Sequence, residues 1–295
     1  MEWLRLLLYH SPGSQGRAPR LYNAEMDPRP YSRMSQGEMV RLVYQSNPQC
    51  TCDECQPSLY TRGACVARHL QIHQHAYHTQ FHPVPRIVYG KHYEALHLAR
   101  AAIAYFDRSE LGLTSVQKEA LDRLRRVFHS RCGLSGGDTV QDGYQLSDVL
   151  HMINHLFFFG ALQAVIMWAQ LIPNRLGQYQ PATRTIKINS RAAIFGVGAA
   201  EQQRGKLATI LHEAMHAFLR QLSCCACPTY YSDVDGAGGH GRAFQLLSTT
   251  LKKVTMKLLG TPLDPTGFQS FAYEGQYLPS VHDVETWQWS DGNRW

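Results

Sequence analysis

The clearest periodicity in the chain lies in LATILHEAMHAFLRQL, residues 207–222. Leu207, Ile210, Leu211, Ala214, Met215, Phe218, Leu219 and Leu222 recur at i, i+3, i+4 and i+7. That is the spacing of one buried helix face, and it predicts a long helix from about Ala200 to Leu222. A second stripe, Phe244, Leu247, Leu251, Val254 and Leu258, predicts a helix from about His240 to Leu259, stopped by Gly260, Pro262 and Pro265. Upstream, EALHLARAAIAYF reads as a helix ending near Phe106. VQKEALDRLRRVF reads as another, capped by Thr114 or Ser115, with Leu121, Leu124 and Phe128 on one face. Ser147 is placed to cap a helix running to about Phe158.

Strand signals fall between these helices. AVIMWAQL (164–171) is an apolar run that predicts a buried strand, and LGQYQ and TIKIN flank PATR as a hairpin. Residues 1–48 are rich in Pro, Gly, Ser and Arg without a sustained period and read as a disordered or loosely ordered leader. GLSGGD at 133–138 marks a break, and the tail holding Trp287, Trp289 and Trp295 shows no period. The expected class is α+β. The expected organisation is an irregular Cys- and His-containing region (1–90), a helical segment (91–142), a domain with a small antiparallel sheet and two long helices (143–262), and a tail (263–295).

The chemistry sits on the 207–222 helix. His212 and His216 are four residues apart, one turn above each other, at the edge of the apolar stripe where a core meets a groove. Glu213 falls on the neighbouring face. In an H-E-x-x-H pattern two neutral imidazoles hold zinc and the carboxylate takes a proton from water. From this composition the pattern is expected by chance about 0.03 times. A catalytic zinc site needs a third ligand. His240, in GGHGRAF, falls on the buried face of the last helix when its pitch is extended backward, and Gly238, Gly239 and Gly241 permit close backbone approach. Asp233, Asp235 and the cysteines Cys224, Cys225 and Cys227 are rival third ligands.

HEAMHAF followed by a loop and GHGRAF resembles the SprT-like zinc metalloproteases, the Spartan-related family. The likeness covers about 145–260. INHLFFFGALQAVIMW resembles the entry helix and first strand of that family, and RLGQYQ…TIKIN its hairpin. The resemblance implies a zincin-like core in which His212, His216 and His240 hold Zn2+ and Glu213 is the general base. It implies hydrolysis of peptide bonds in protein substrates, DNA-crosslinked proteins among them. No paired-cysteine ribbon follows the last helix, and the stretch between His216 and His240 carries Cys224, Cys225 and Cys227. These two features motivate the alternative of a zinc-containing binding or adaptor module that does not cleave. Tyr230 and Tyr231 are candidate stabilisers of an oxyanion.

Composition adds less. There are 29 Lys and Arg against 23 Asp and Glu, a net charge of +6 that permits a polyanion such as DNA without requiring one. The basic residues of 122–131 and Lys252, Lys253 and Lys257 read as solvated helix faces or as a DNA-binding surface. The eight cysteines are clustered, unlike those of a secreted disulfide scaffold. Cys50, Cys52 and Cys55, with Cys65 and His69, read as free thiols or as a structural zinc site. His69, His73, His75, His78 and His82 read as a polar His-rich stretch. Glu2 and Arg5 interrupt the first apolar residues, against a signal peptide, and Leu156–Ile172 is broken by Gly160, Gln163 and Gln170, against a membrane span. The expected location is intracellular, nuclear or cytoplasmic, with no membrane.

Overall fold

Helix by helix, the apolar stripes find each other. The structure is a computed structural model that describes residues 34–61, 87, 92–129, 140–172, 175–190, 198–265 and 278–290. Cys65, Cys132, the histidines between 69 and 82, the break at 133–138 and Trp295 lie outside the described residues. The elements in chain order are α1 (Gln36–Ser46), α2 (Ser58–Thr61), α3 (Ala95–Phe106), α4 (Ser115–His129), α5 (Val140–Phe157), β1 (Val165–Ala169), β2 (Gly177–Gln180) and β3 (Thr185–Asn189). After them come α6 (Ala199–Leu222), α7 (Gly236–Gly239), α8 (Arg242–Leu259) and α9 (Val281–Thr286). The class is α+β, mostly helical, with one small sheet.

Helix α6 runs through the middle. Leu207, Ile210, Leu211, Ala214, Met215 and Phe218 are fully buried along it, and it packs on α3, α5, α8 and the sheet. Phe157 and Phe158 at the end of α5 carry the aromatic core: Phe157 meets Phe106 of α3 at 5.7 Å, and Phe158 meets Phe218 of α6 at 5.0 Å between ring centroids. Each such buried side chain contributes about 1.5–3 kcal/mol. Thr114 caps α4. Its hydroxyl accepts from Gln117 N–H at 3.2 Å, while the Gln117 amide donates to the carbonyls of Tyr105 and Leu156 and so ties α4 to α3 and α5. One continuous core contains Leu98, Leu121, Leu146, Ile186, Leu211 and Leu251, so the 91–142 helices share their packing with 143–262.

Three expectations need correction. The sheet is mixed, not antiparallel: its order is β1-β3-β2, with β1 parallel to β3 and β2 antiparallel to it. The fully inward pair Ile186 and Ile188 gives β3 the central place, and the polar GQYQ strand takes an edge. β1 is not a buried strand, because helices cover only one face of the sheet. Ile166 points in, while Val165 and Met167 are 65% and 46% exposed. α5 begins at Val140, so Ser147 lies inside it; fully buried Leu146 already belongs to its apolar stripe.

Residues 34–48 of the leader and 278–290 of the tail are also more ordered than their sequences suggest. α1 opens on a capping box between Ser35 and Glu38. Its Met39, Val40 and Val43 pack with Val284, Trp287 and Trp289 in a second small core. No helix among the described residues is long and apolar enough to cross a membrane.

Candidate metal centre

His212 and His216 come from adjacent turns of α6, and His240 comes from the turn between α7 and α8. Their Nε2 atoms form a nearly equilateral triangle: 3.1 Å from His216 to His212, 3.1 Å from His216 to His240 and 3.2 Å from His240 to His212. Phe244, one turn into α8, packs on all three rings with centroids 5.0, 4.7 and 4.7 Å away. It fills the apolar side of the cluster and leaves the nitrogens to converge. Gly239 makes the approach possible. Its φ is +98°, and a Cβ there meets the His216 ring at 3.1 Å.

The protonation pattern suits a cation. His212 Nδ1 lies 2.8 Å from the Pro265 carbonyl, which can only accept, so Nδ1 carries the proton and Nε2 turns its lone pair to the centre. Burial pushes the His212 pKa down to about 4. Burial, and then the neighbouring His240 and His212, hold His216 well below the usual imidazole range. His212 and His216 are therefore neutral, as metal ligation requires. A single proton can bridge one edge of the triangle, whereas an ion at its centre takes all three lone pairs. Tetrahedral zinc with bonds of 2.0–2.1 Å places its nitrogens about 3.3 Å apart, close to the separations found. The donor set and its spacing fit a divalent metal. Among the described residues this is one of two groups able to hold one.

Glu213 is 5% exposed, and its carboxylate lies against β2. Burial pushes its pKa up to about 8, against the opposing pull of a hydrogen bond from the Tyr179 backbone N–H and of the Arg175 charge. Gly177 permits this contact, because a Cβ there meets the Glu213 Cγ and Oε1 at 2.9 Å. The strand edge and the general-base candidate thus share one surface.

The rival ligands go elsewhere. Asp235 pairs with Arg220 at 2.9 Å. Asp233 is fully buried, accepts a hydrogen bond from Tyr60 OH at 3.3 Å and lies 4.0 Å from Arg242. Cys224, Cys225 and Cys227 are half-buried or exposed and do not join the histidine group. Tyr231 is exposed, and the Tyr230 phenol is pushed up to about 12 by burial and by Asp235. Of the basic residues, Arg125 pairs with Glu110, Lys252 with Asp264 and Lys257 with Asp107.

Sequence reasoning missed the frame behind the triad. Arg242, two residues after His240, makes a paired contact with Asp283 at 3.0 and 3.2 Å and donates to Thr51 Oγ1 at 2.8 Å. Asp283 also completes a capping box with Ser280 at the start of α9. This one buried guanidinium therefore joins the N-terminal loop and the tail helix to the histidine turn. The S-V-H-D text at 280–283 carries the capping signal, but nothing in it names Arg242 as partner. Comparison of the chain with models of known protein families, with curated proteins and with solved structures returned no match.

Proposed function

We propose that the chain is a zinc-dependent endopeptidase with a zincin-like core, similar to the SprT-like metalloproteases, and that it hydrolyses peptide bonds in protein substrates. The observation that carries this reading is the convergence of three imidazole nitrogens within 3.1–3.2 Å, next to buried Glu213, which shares α6 with two of them. His212, His216 and His240 hold the ion. A zinc ion held there supplies Lewis acidity, which polarises a carbonyl and acidifies water.

The chain's own residues do the rest. Glu213 Oε accepts a proton from the attacking water and later passes it to the nitrogen of the leaving amine. A carboxylate beside the ion serves both transfers, as base in the first and as acid in the second. β2 is an edge strand lying against Glu213, so an extended peptide is placed by adding to that edge through backbone hydrogen bonds. Such binding favours unfolded segments over particular sequences. Phe244 and the buried walls of α6 keep bulk water from the rear of the triad.

The test uses an unstructured protein such as casein. The wild-type chain is expected to cleave it, to lose activity on chelation and to regain it with zinc. Glu213→Gln is expected to keep zinc and to lose about 10²–10⁴-fold in rate. Undiminished cleavage by the zinc-loaded variant refutes the proposal. Zinc held by a fourth protein side chain favours the non-cleaving adaptor instead.

A further inference from the structure

The loop between α1 and α2 brings Cys50, Cys52 and Cys55 together, with all three Sγ atoms within 4.8 Å of one another. All three are free thiols. Two of the residues between them are anchored to neighbouring elements. Thr51 Oγ1 accepts from Arg242 at 2.8 Å, and the Thr51 carbonyl accepts from Tyr60 OH at 3.0 Å. Asp53 takes a two-point contact from Arg100 at 2.8 and 2.9 Å. These contacts hold Thr51 and Asp53 in place, and a turn closed by Gln56 N–H on the Cys52 carbonyl at 2.9 Å brings Cys55 back to Cys50 and Cys52. The backbone N–H groups of Glu54 and Cys55 point at the Cys52 sulfur, an arrangement that stabilises a thiolate.

Cys52 is 3% exposed. A buried sulfur met by two N–H donors and two more thiols lacks only the cation that makes it a thiolate. The spacing is that of a pre-formed soft-metal site, and three sulfur donors select zinc over calcium or magnesium.

We propose that Cys50, Cys52 and Cys55 bind a second, structural zinc ion through their thiolates, each thiol releasing its proton to solvent on binding. This ion staples the loop whose Thr51 holds Arg242, and through Arg242 it braces the turn that carries His240. The inference does not depend on the proposed peptidase activity, because the two donor sets share no residue.

The experiment is zinc analysis and zinc X-ray absorption on the full chain, purified under reducing conditions. The wild type is expected to hold two zinc ions per chain and to show sulfur neighbours at about 2.3 Å together with nitrogen or oxygen neighbours. The count of non-sulfur neighbours identifies the fourth donor. Cys50→Ser/Cys52→Ser/Cys55→Ser is expected to keep one zinc and lose the sulfur shell. His212→Ala/His216→Ala is expected to keep one zinc bound by sulfur, which separates this site from the histidine site. If the triple variant does not fold, Cys52→Ser with cobalt(II) in place of zinc gives the same reading: the near-ultraviolet thiolate-to-cobalt band of the wild type is lost or strongly reduced. A wild-type chain without sulfur around zinc, or a cysteine variant with an unchanged sulfur shell or cobalt band, overturns the proposal.

Discussion

Gly239→Ala adds one methyl group beside the triad and leaves every donor in place. The site is demanding: φ is +98°, and the new Cβ falls 3.1 Å from both Cε1 and Nδ1 of His216. A residue with a side chain held in this region of backbone space costs about 1–3 kcal/mol. The chain relieves that strain by shifting the turn, and with it either the His216 ring or His240 next door. The nitrogen triangle, 3.1–3.2 Å on each edge, then opens. Metal binding must close it again against the strain. At 1.4 kcal/mol per factor of ten, the zinc dissociation constant weakens about 5- to 150-fold. Competition with a chromophoric chelator measures this, and denaturant unfolding in excess chelator measures how much of the cost falls on the metal-free fold. Gly198→Ala is the control, since a Cβ there meets nothing within 4 Å. If Gly239→Ala matches the wild type in both zinc affinity and metal-free stability, the geometry inferred for this turn is wrong.

Three further outcomes follow from the same frame. Phe244→Ala removes a fully buried ring from beneath all three histidines and is expected to cost about 3–5 kcal/mol in chelator-treated protein, read from urea unfolding; a loss under about 1 kcal/mol contradicts its place in the core. Arg242→Met leaves Asp283 buried without its cation and is expected to cost about 3–5 kcal/mol, part of which is recovered by adding Asp283→Asn; equal stability of the single and double variants contradicts the pairing. Asp233 has a pKa raised from 3.8 to about 8 by burial and by Glu94, so the folded state binds its proton more tightly than the unfolded one. That stabilisation is complete below about pH 4 and is lost as pH rises towards 8. Relative to Asp233→Asn, the wild type should therefore lose stability between these limits in chelator; parallel pH profiles would falsify the shift.

What the sequence reveals and what it hides divide along physical lines. α6 and α8 are legible because each buries a wide stripe, from Leu207 to Leu222 and from Phe244 to Leu258, over enough turns for the period to repeat. The H-E-x-x-H spacing fixes two donors on one helix face. The backward pitch of α8 brings His240 to them although the helix itself starts at Arg242. β1 misleads because VIMWA is apolar on both faces, and only the packing shows that Val165 and Met167 face outward. α1 is hidden because its three buried apolar residues, Met39, Val40 and Val43, are too few to set a period and adjoin the unburied Leu42 and Tyr44, and their partners Trp287 and Trp289 lie at the other end of the chain. The Arg242 contacts to Thr51 and Asp283 span 191 and 41 residues, a separation no local pattern encodes.

The most direct measurement is anomalous diffraction at the zinc edge from crystals of the zinc-loaded chain. A peak is expected about 2.0–2.1 Å from the Nε2 atoms of His212, His216 and His240, with solvent as the remaining ligand on the side of Glu213. No peak at the triad, a His240 ring turned out to solvent, or a protein side chain in the fourth position contradicts that expectation.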